Sequence, residues 1–72
     1  PAYQCDGGGE ITINITVDRN GKVVSANVKE SSTSSRCINE TALMAARNSR
    51  FNVDGNAENP QNGTITYIFI PQ

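Results

Sequence analysis

Residues 10–17, EITINITV, alternate apolar and polar positions without a break. Ile11, Ile13, Ile15 and Val17 fall on one side, and Thr12, Asn14 and Thr16 on the other. Period-two alternation of β-branched residues predicts a strand with one buried face and one wet face. Asp18, Arg19, Asn20 and Gly21 read as a turn, since Asp suits its first position and Asn-Gly tolerates positive φ. A second strand is expected over 22–29, KVVSANVK, with Val24, Ala26 and Val28 on one face and Val23, Ser25 and Asn27 on the other. The two runs make a β-hairpin. Taken at face value, its register sets Val17 opposite Lys22 and Glu10 opposite Lys29.

The polar, Ser-rich stretch 30–37, ESSTSSRC, reads as a crossing loop. A helix is expected over 39–50. Asn39 would cap it, Glu40 would meet the positive end of its dipole, and Arg47 and Arg50 would occupy its last turn. Ile38 and Leu43 suit a hydrophobic staple. Ala42, Ala45 and Ala46 form a small-residue face that allows close approach to a sheet, and Phe51 is expected to fold back into the core. Residues 52–62, NVDGNAENPQN, carry turn signals. A third strand is expected over 63–70, GTITYIFI, with Ile65, Tyr67 and Phe69 alternating against Thr66, Ile68 and Ile70, and Pro71 ending it.

The order β-β-α-β predicts an α+β fold, a three-stranded antiparallel sheet of order 2-1-3 with one helix packed on one face. The helix carries the chain back across the sheet by a right-handed crossover, so the third strand lands beside the first. The helix then covers Ile11, Ile13, Ile15 and Val17. The third strand lies at an edge, whose unpaired backbone groups can accept another strand. Ile68 and Ile70 either meet a partner peptide there, cap the open face or lie under the lead-in.

Composition narrows the chemistry. A chain of 72 residues with 36% hydrophobic and 6% aromatic positions is one domain with a thin core. Such a core rarely contributes more than about 3–5 kcal/mol, so a disulfide or a partner is expected to add support. Residues 1–9 read as a flexible lead-in and 10–72 as the domain. Gly7, Gly8 and Gly9 read as a flexible linker or strand entry, because a phosphate cradle would open a helix. Six Lys and Arg against seven Asp and Glu leave no cationic footprint for nucleic acid or a polybasic membrane patch. His is absent, which removes the commonest general base and zinc ligand, so neither an enzyme nor a metal site is expected, and no cofactor. Asp18, Asn20 and Gly21 resemble a fragment of a calcium loop but lack its remaining oxygen ligands. The apolar runs are too short to span a membrane. The chain opens at Pro1 without a Met, as expected of a fragment or processed product.

Cys5 lies just before the first strand and Cys37 just after the second, so both emerge at the same end of the hairpin. A bridge between them would close a loop of about 32 residues, contribute roughly 2–4 kcal/mol, and place the protein in an oxidising compartment. The alternative is two independent thiols, with Cys37 half-buried ahead of the helix and Cys5 in the lead-in.

The run G-x-I-x-I-x-x-x-V-D-x-x-G-x-V from Gly9 through Val23 resembles the opening of the TonB C-terminal domain family. Ser31 and Ser32 after the second strand fit the same pattern, as do Ile38, Asn39, Ala42, Leu43, Ala46, Arg50 and Phe51. The ending Gly63 through Phe69, G-T-I-T-Y-I-F, resembles the family's last strand. The sequence departs from the family's usual pattern where Asn48 and Ser49 stand before Arg50-Phe51 in place of an aromatic residue. Tyr3 is also followed by Gln4 rather than Pro, and the paired Cys are not a general family feature.

The resemblance implies the same β-β-α-β fold and a periplasmic binding domain of an energy transducer anchored in the inner membrane. Such a transducer couples an inner-membrane ion-gradient complex, through its N-terminal region, to TonB-dependent outer-membrane transporters. It grips the transporter's extended TonB box as a strand added beside its own last strand. On this chain that implies Gly63, Thr64, Ile65, Thr66, Tyr67, Ile68, Phe69 and Ile70 as the contact strand, with Thr66, Ile68 and Ile70 as side-chain contacts. Two other readings fit the same fold: a periplasmic adaptor or signalling domain with a different peptide client, and a structural domain that forms a homodimer through the third-strand edge.

Overall fold

In a computed structural model that describes residues 5–52 and 60–71, the elements run β1 (Gly9–Val17), β2 (Val23–Ser31), α1 (Arg36–Arg47) and β3 (Gln61–Phe69). The sheet is antiparallel throughout, in the order β2-β1-β3. This is the α+β arrangement expected from the order of elements. The expected loop over 52–62 lies mostly outside the described residues, as does the start of the lead-in.

The alternation in β1 forms the core directly. Ile11 and Ile13 are fully buried, Ile15 and Val17 nearly so, and α1 covers them with Ile38, Ala42 and Ala46. The two alanines are completely buried, and their short side chains let the helix lie close on the isoleucine stripe. Ala26, Leu43, Ile65, Tyr67 and Phe69 pack around the margin of this cluster.

The hairpin forms at the expected place with a different register. Val17 pairs with Val23, and Ile11 with Ser31. Two irregularities fall between Thr12 and Ile13 and between Thr16 and Val17, where Lys29 and Val24 are the extra residues of β2. A bulge inserts one residue and exchanges the faces beyond it. Val23 therefore joins the core at 6% exposure while Val24 turns out at 56%, reversing the expected assignment of these two. Ala26 and Val28 stay on the core face, opposite Ile15 and Ile13. At the turn, Asp18 N–H donates to Lys22 O and Gly21 N–H donates to Asp18 O. Only Gly21 takes positive φ, at 81°, so the turn is a type I turn closed by a left-handed glycine. The Asp18 carboxylate accepts the N–H groups of Asn20 and Lys22 at 2.8 and 3.0 Å and is thereby committed to the turn.

The helix begins earlier than expected. Its N-cap is Ser35, whose hydroxyl accepts the Ile38 N–H at 3.3 Å, and no acidic residue lies in the first turn. Asn39 is inside the helix and makes other contacts, donating to Thr33 O and accepting from the Ser31 hydroxyl at 2.6 Å. The Ile38–Leu43 staple built on an Asn39 cap is therefore not formed. Arg47 is the basic residue of the last turn. Arg50 lies beyond it, in an isolated antiparallel bridge with Lys22. Phe51 does not fold into the core. It is 37% exposed, and it serves the fold through its backbone, whose N–H donates to Gly21 O at 2.9 Å.

Cys5 and Cys37 are bonded, with Cα atoms 5.7 Å apart, and no described cysteine is free. Of the pair, Cys5 is half-buried against the core and Cys37 is exposed.

Candidate functional site

Both outer strands of the sheet have a free edge among the described residues, and they differ in what they offer. The β2 edge is interrupted by its two bulges and carries Lys29 and Glu30. Bulges and charges are the usual means of blocking strand addition. β3, in contrast, pairs with β1 in unbroken register from Gln61 opposite Val17 to Phe69 opposite Gly9. It contains no charged residue.

The direction of each backbone group on β3 follows from one bond at the far side of the sheet. Glu10 O accepts the Ser32 N–H, so Glu10 faces β2. Along a strand, successive residues turn their N–H and C=O to opposite sides. Ile11, Ile13 and Ile15 therefore face β3 and exchange bonds with their partners Tyr67, Ile65 and Gly63. The backbone groups of Asn62, Thr64, Thr66 and Ile68 then point away from the sheet, along the free edge.

The side chains of β3 divide in the same way. Ile65, Tyr67 and Phe69 stand on the helix face and are half-buried. They are only half covered because α1 lies over β1 and β2 rather than β3. On the open face, Thr66 shares a hydrogen bond with Thr12 at 3.0 Å, and the Thr16 hydroxyl donates to Asn62 Oδ1 at 3.1 Å. Asn14 donates to Asn27 at 3.3 Å, extending this polar ladder across to β2. These three pairs tie polar side chains of the open face to one another across the strands. Ile68 is left 70% exposed and Ile70, just past the strand, 76%.

Every residue expected in the contact strand thus lies on β3 or directly after it. Gly63, Thr64, Ile65, Thr66, Tyr67, Ile68 and Phe69 are brought together along one edge, and Ile70 continues it. The structure adds Gln61 and Asn62 at the start of the strand. Their polarity reads as loop, and only the pairing of Asn62 with Thr16 reveals them as strand. The arrangement offers backbone donors and acceptors at β-spacing beside an apolar end. Nucleophile and acid–base groups do not converge here, and no cluster of three or more His, Cys, Asp or Glu residues that could hold a metal occurs among the described residues. No helix among them is long and apolar enough to cross a membrane.

No curated protein and no solved structure gives a significant match to this sequence. The family model of the Gram-negative bacterial TonB protein C-terminal matches residues 3–71, which span all four secondary-structure elements and the free β3 edge. The chain belongs to the TonB protein C-terminal family.

Proposed function

We infer that this domain captures an extended segment of a TonB-dependent outer-membrane transporter, the TonB box, by adding it as a strand to β3. Membership of the family supports a periplasmic, non-catalytic role in coupling to outer-membrane transporters. The observation that carries the finer reading is the contrast between the two sheet edges: β2 is bulged and charged, β3 regular and uncharged. Backbone pairing would supply affinity, and the exposed Ile68 and Ile70 would supply an apolar grip at one end. Anchorage to the inner membrane and contact with an ion-gradient complex would belong to a region outside these residues.

The test is an amide chemical-shift titration of isotope-labelled domain with TonB-box peptides from transporters of the same organism. The outward N–H groups of Asn62, Thr64, Thr66 and Ile68 are expected to shift most and to saturate. Ile65 and Tyr67, whose N–H groups are committed to β1, should shift less. An absence of saturable shifts at millimolar peptide, with the fold intact, would overturn the reading in favour of an adaptor with another client. Shifts of the same residues on raising the concentration of the domain alone would point to self-association through β3.

A further inference from the structure

The segment leading into β1 is fastened at two points. At its start, Cys5 is bonded to Cys37 in the first turn of α1. Its sulfur lies 3.7 Å from the Thr41 hydroxyl, against the core. At its end, Gly8 passes so close to the end of β3 that a Cβ there would collide with Phe69 O and stand 2.7 Å from Pro71 Cδ. Gly7, with φ at 78°, makes the bend between these points. The next residue, Gly9, pairs with Phe69 in the last rung of the β1–β3 ladder. A short strap therefore runs from the helix to the end of the edge strand. α1 makes little contact with β3, and Gly8 and Gly9 at the start of β1 lie against Phe69 and Pro71.

We propose that the Cys5–Cys37 bridge is a redox-operated clasp that sets the usable length of the β3 edge. With the bridge closed, β3 runs straight through Phe69 and presents Ile68 and Ile70. With it open, the Cys5–Gly8 strap lifts and the last rungs of the ladder fray, which removes the apolar end of the edge. The consequence for capture rests on the strand-addition reading above; the effect on the ladder does not.

The reaction partner is a dithiol reductant. Cys37 is exposed and Cys5 half-buried, so the reductant's thiolate attacks the Cys37 sulfur. A mixed disulfide forms and the S–S bond breaks, with its electron pair leaving on Cys5, which takes a proton from solvent. The reductant's second thiolate then attacks its own sulfur in the mixed disulfide and releases Cys37 as a thiolate. That thiolate lies in the first turn of α1, where the helix dipole and free N–H groups favour an anion, before it equilibrates with solvent protons. In sum, two electrons and two protons pass from the dithiol to the domain, and the reductant departs as a disulfide.

The test is native-state amide exchange on the oxidised domain, on the domain reduced with dithiothreitol, and on the Cys5→Ser/Cys37→Ser variant. Exchange at Gly9 and Phe69 is expected to accelerate about tenfold or more beyond any change at Ile13 and Ile65, as a local opening requires. Equal acceleration at all four, including wholesale unfolding, would make the bridge a global staple and overturn the clasp. No acceleration would overturn it as well. Gly8→Ala with the bridge intact gives an independent check, because the added methyl group forces the strap off Phe69. It should reproduce the local pattern, and unchanged protection at Phe69 would count against the strap. In the peptide titration, affinity should fall several-fold on reduction. Equal affinity in both redox states would overturn control of capture by the bridge. A peptide that binds neither state overturns the strand-addition reading instead, and the exchange pattern still decides the clasp.

Discussion

Gly21 lies flat against the backbone of Phe51. The Phe51 N–H donates to Gly21 O at 2.9 Å, and a Cβ on Gly21 would collide with Phe51 O. Gly21 also takes φ at 81°, a conformation that side chains resist. This contact joins the β1–β2 turn to the chain leaving α1, and Lys22 and Arg50 pair beside it. Gly21→Ala therefore faces both a steric clash with backbone and an unfavourable φ. A loss of about 2 kcal/mol or more is expected in urea unfolding, above the cost of a strained φ alone. A loss under about half that would mean that the chain after α1 can move away freely.

Ser35, rather than Asn39, caps α1. Ser35→Ala is expected to cost about 1 kcal/mol, the usual value of an N-cap hydroxyl. The readout is thermal or urea unfolding followed by helical circular dichroism. Ser35→Asp should retain most of the stability, since a carboxylate also accepts the Ile38 N–H and suits the dipole.

The outward direction of the Ile68 backbone makes it a clean probe of strand addition. Ile68→Pro removes an N–H that points along the free edge and leaves the bonds to β1 intact. The variant should keep the wild-type amide spectrum outside β3. It should lose peptide affinity by about tenfold or more, from one missing backbone bond and the steric block of the ring. Tyr67→Pro strikes a residue turned toward Ile11 and should disrupt the sheet itself. A folded Ile68→Pro domain with undiminished affinity would exclude β3 as the binding edge.

Asp18 makes the turn sensitive to acid. The hydrogen bond from the Lys22 N–H holds its carboxyl below the usual Asp value. The Asn20 N–H and the charges of Lys22 and Arg50 pull the same way, against some desolvation. A pKa depressed by folding adds stability above the unfolded value of about 3.9, and that stability is lost as pH falls through the folded pKa. Wild-type unfolding midpoints are therefore expected to drop between about pH 5 and pH 2 more steeply than those of Asp18→Asn. The carboxyl carbon shift of Asp18 should titrate below that of Asp in a short peptide. A midpoint at or above the peptide value would show that the turn bonds do not favour the charged form.

Much of this fold is legible in the residues themselves. The unbroken alternation of Ile11, Ile13, Ile15 and Val17 specifies a half-buried strand, because side chains on a strand repeat every two residues. Asp18 through Gly21 specify a turn. With the hairpin and one crossover helix given, chain connectivity and handedness leave β2-β1-β3 as the natural order. The same hairpin brings Cys5 and Cys37 to one end, where they are bonded.

The tertiary structure decided what local pattern cannot carry. Val23 and Val24 are chemically identical, and the bulge that buries one and exposes the other depends on which fits against Val17 beneath α1. Among the serines ahead of the helix, only packing selects Ser35 as the cap, because Ile38 must reach the core in its first turn. Asn62 looks like loop until Thr16 stands opposite it. The parity that turns Thr64, Thr66 and Ile68 outward is set by a bond between Glu10 and Ser32 on the far side of β1. Alternation along the chain tells which residues share a face. Which backbone groups remain free is a property of the assembled sheet, since each strand can pair on either side until its neighbours are in place.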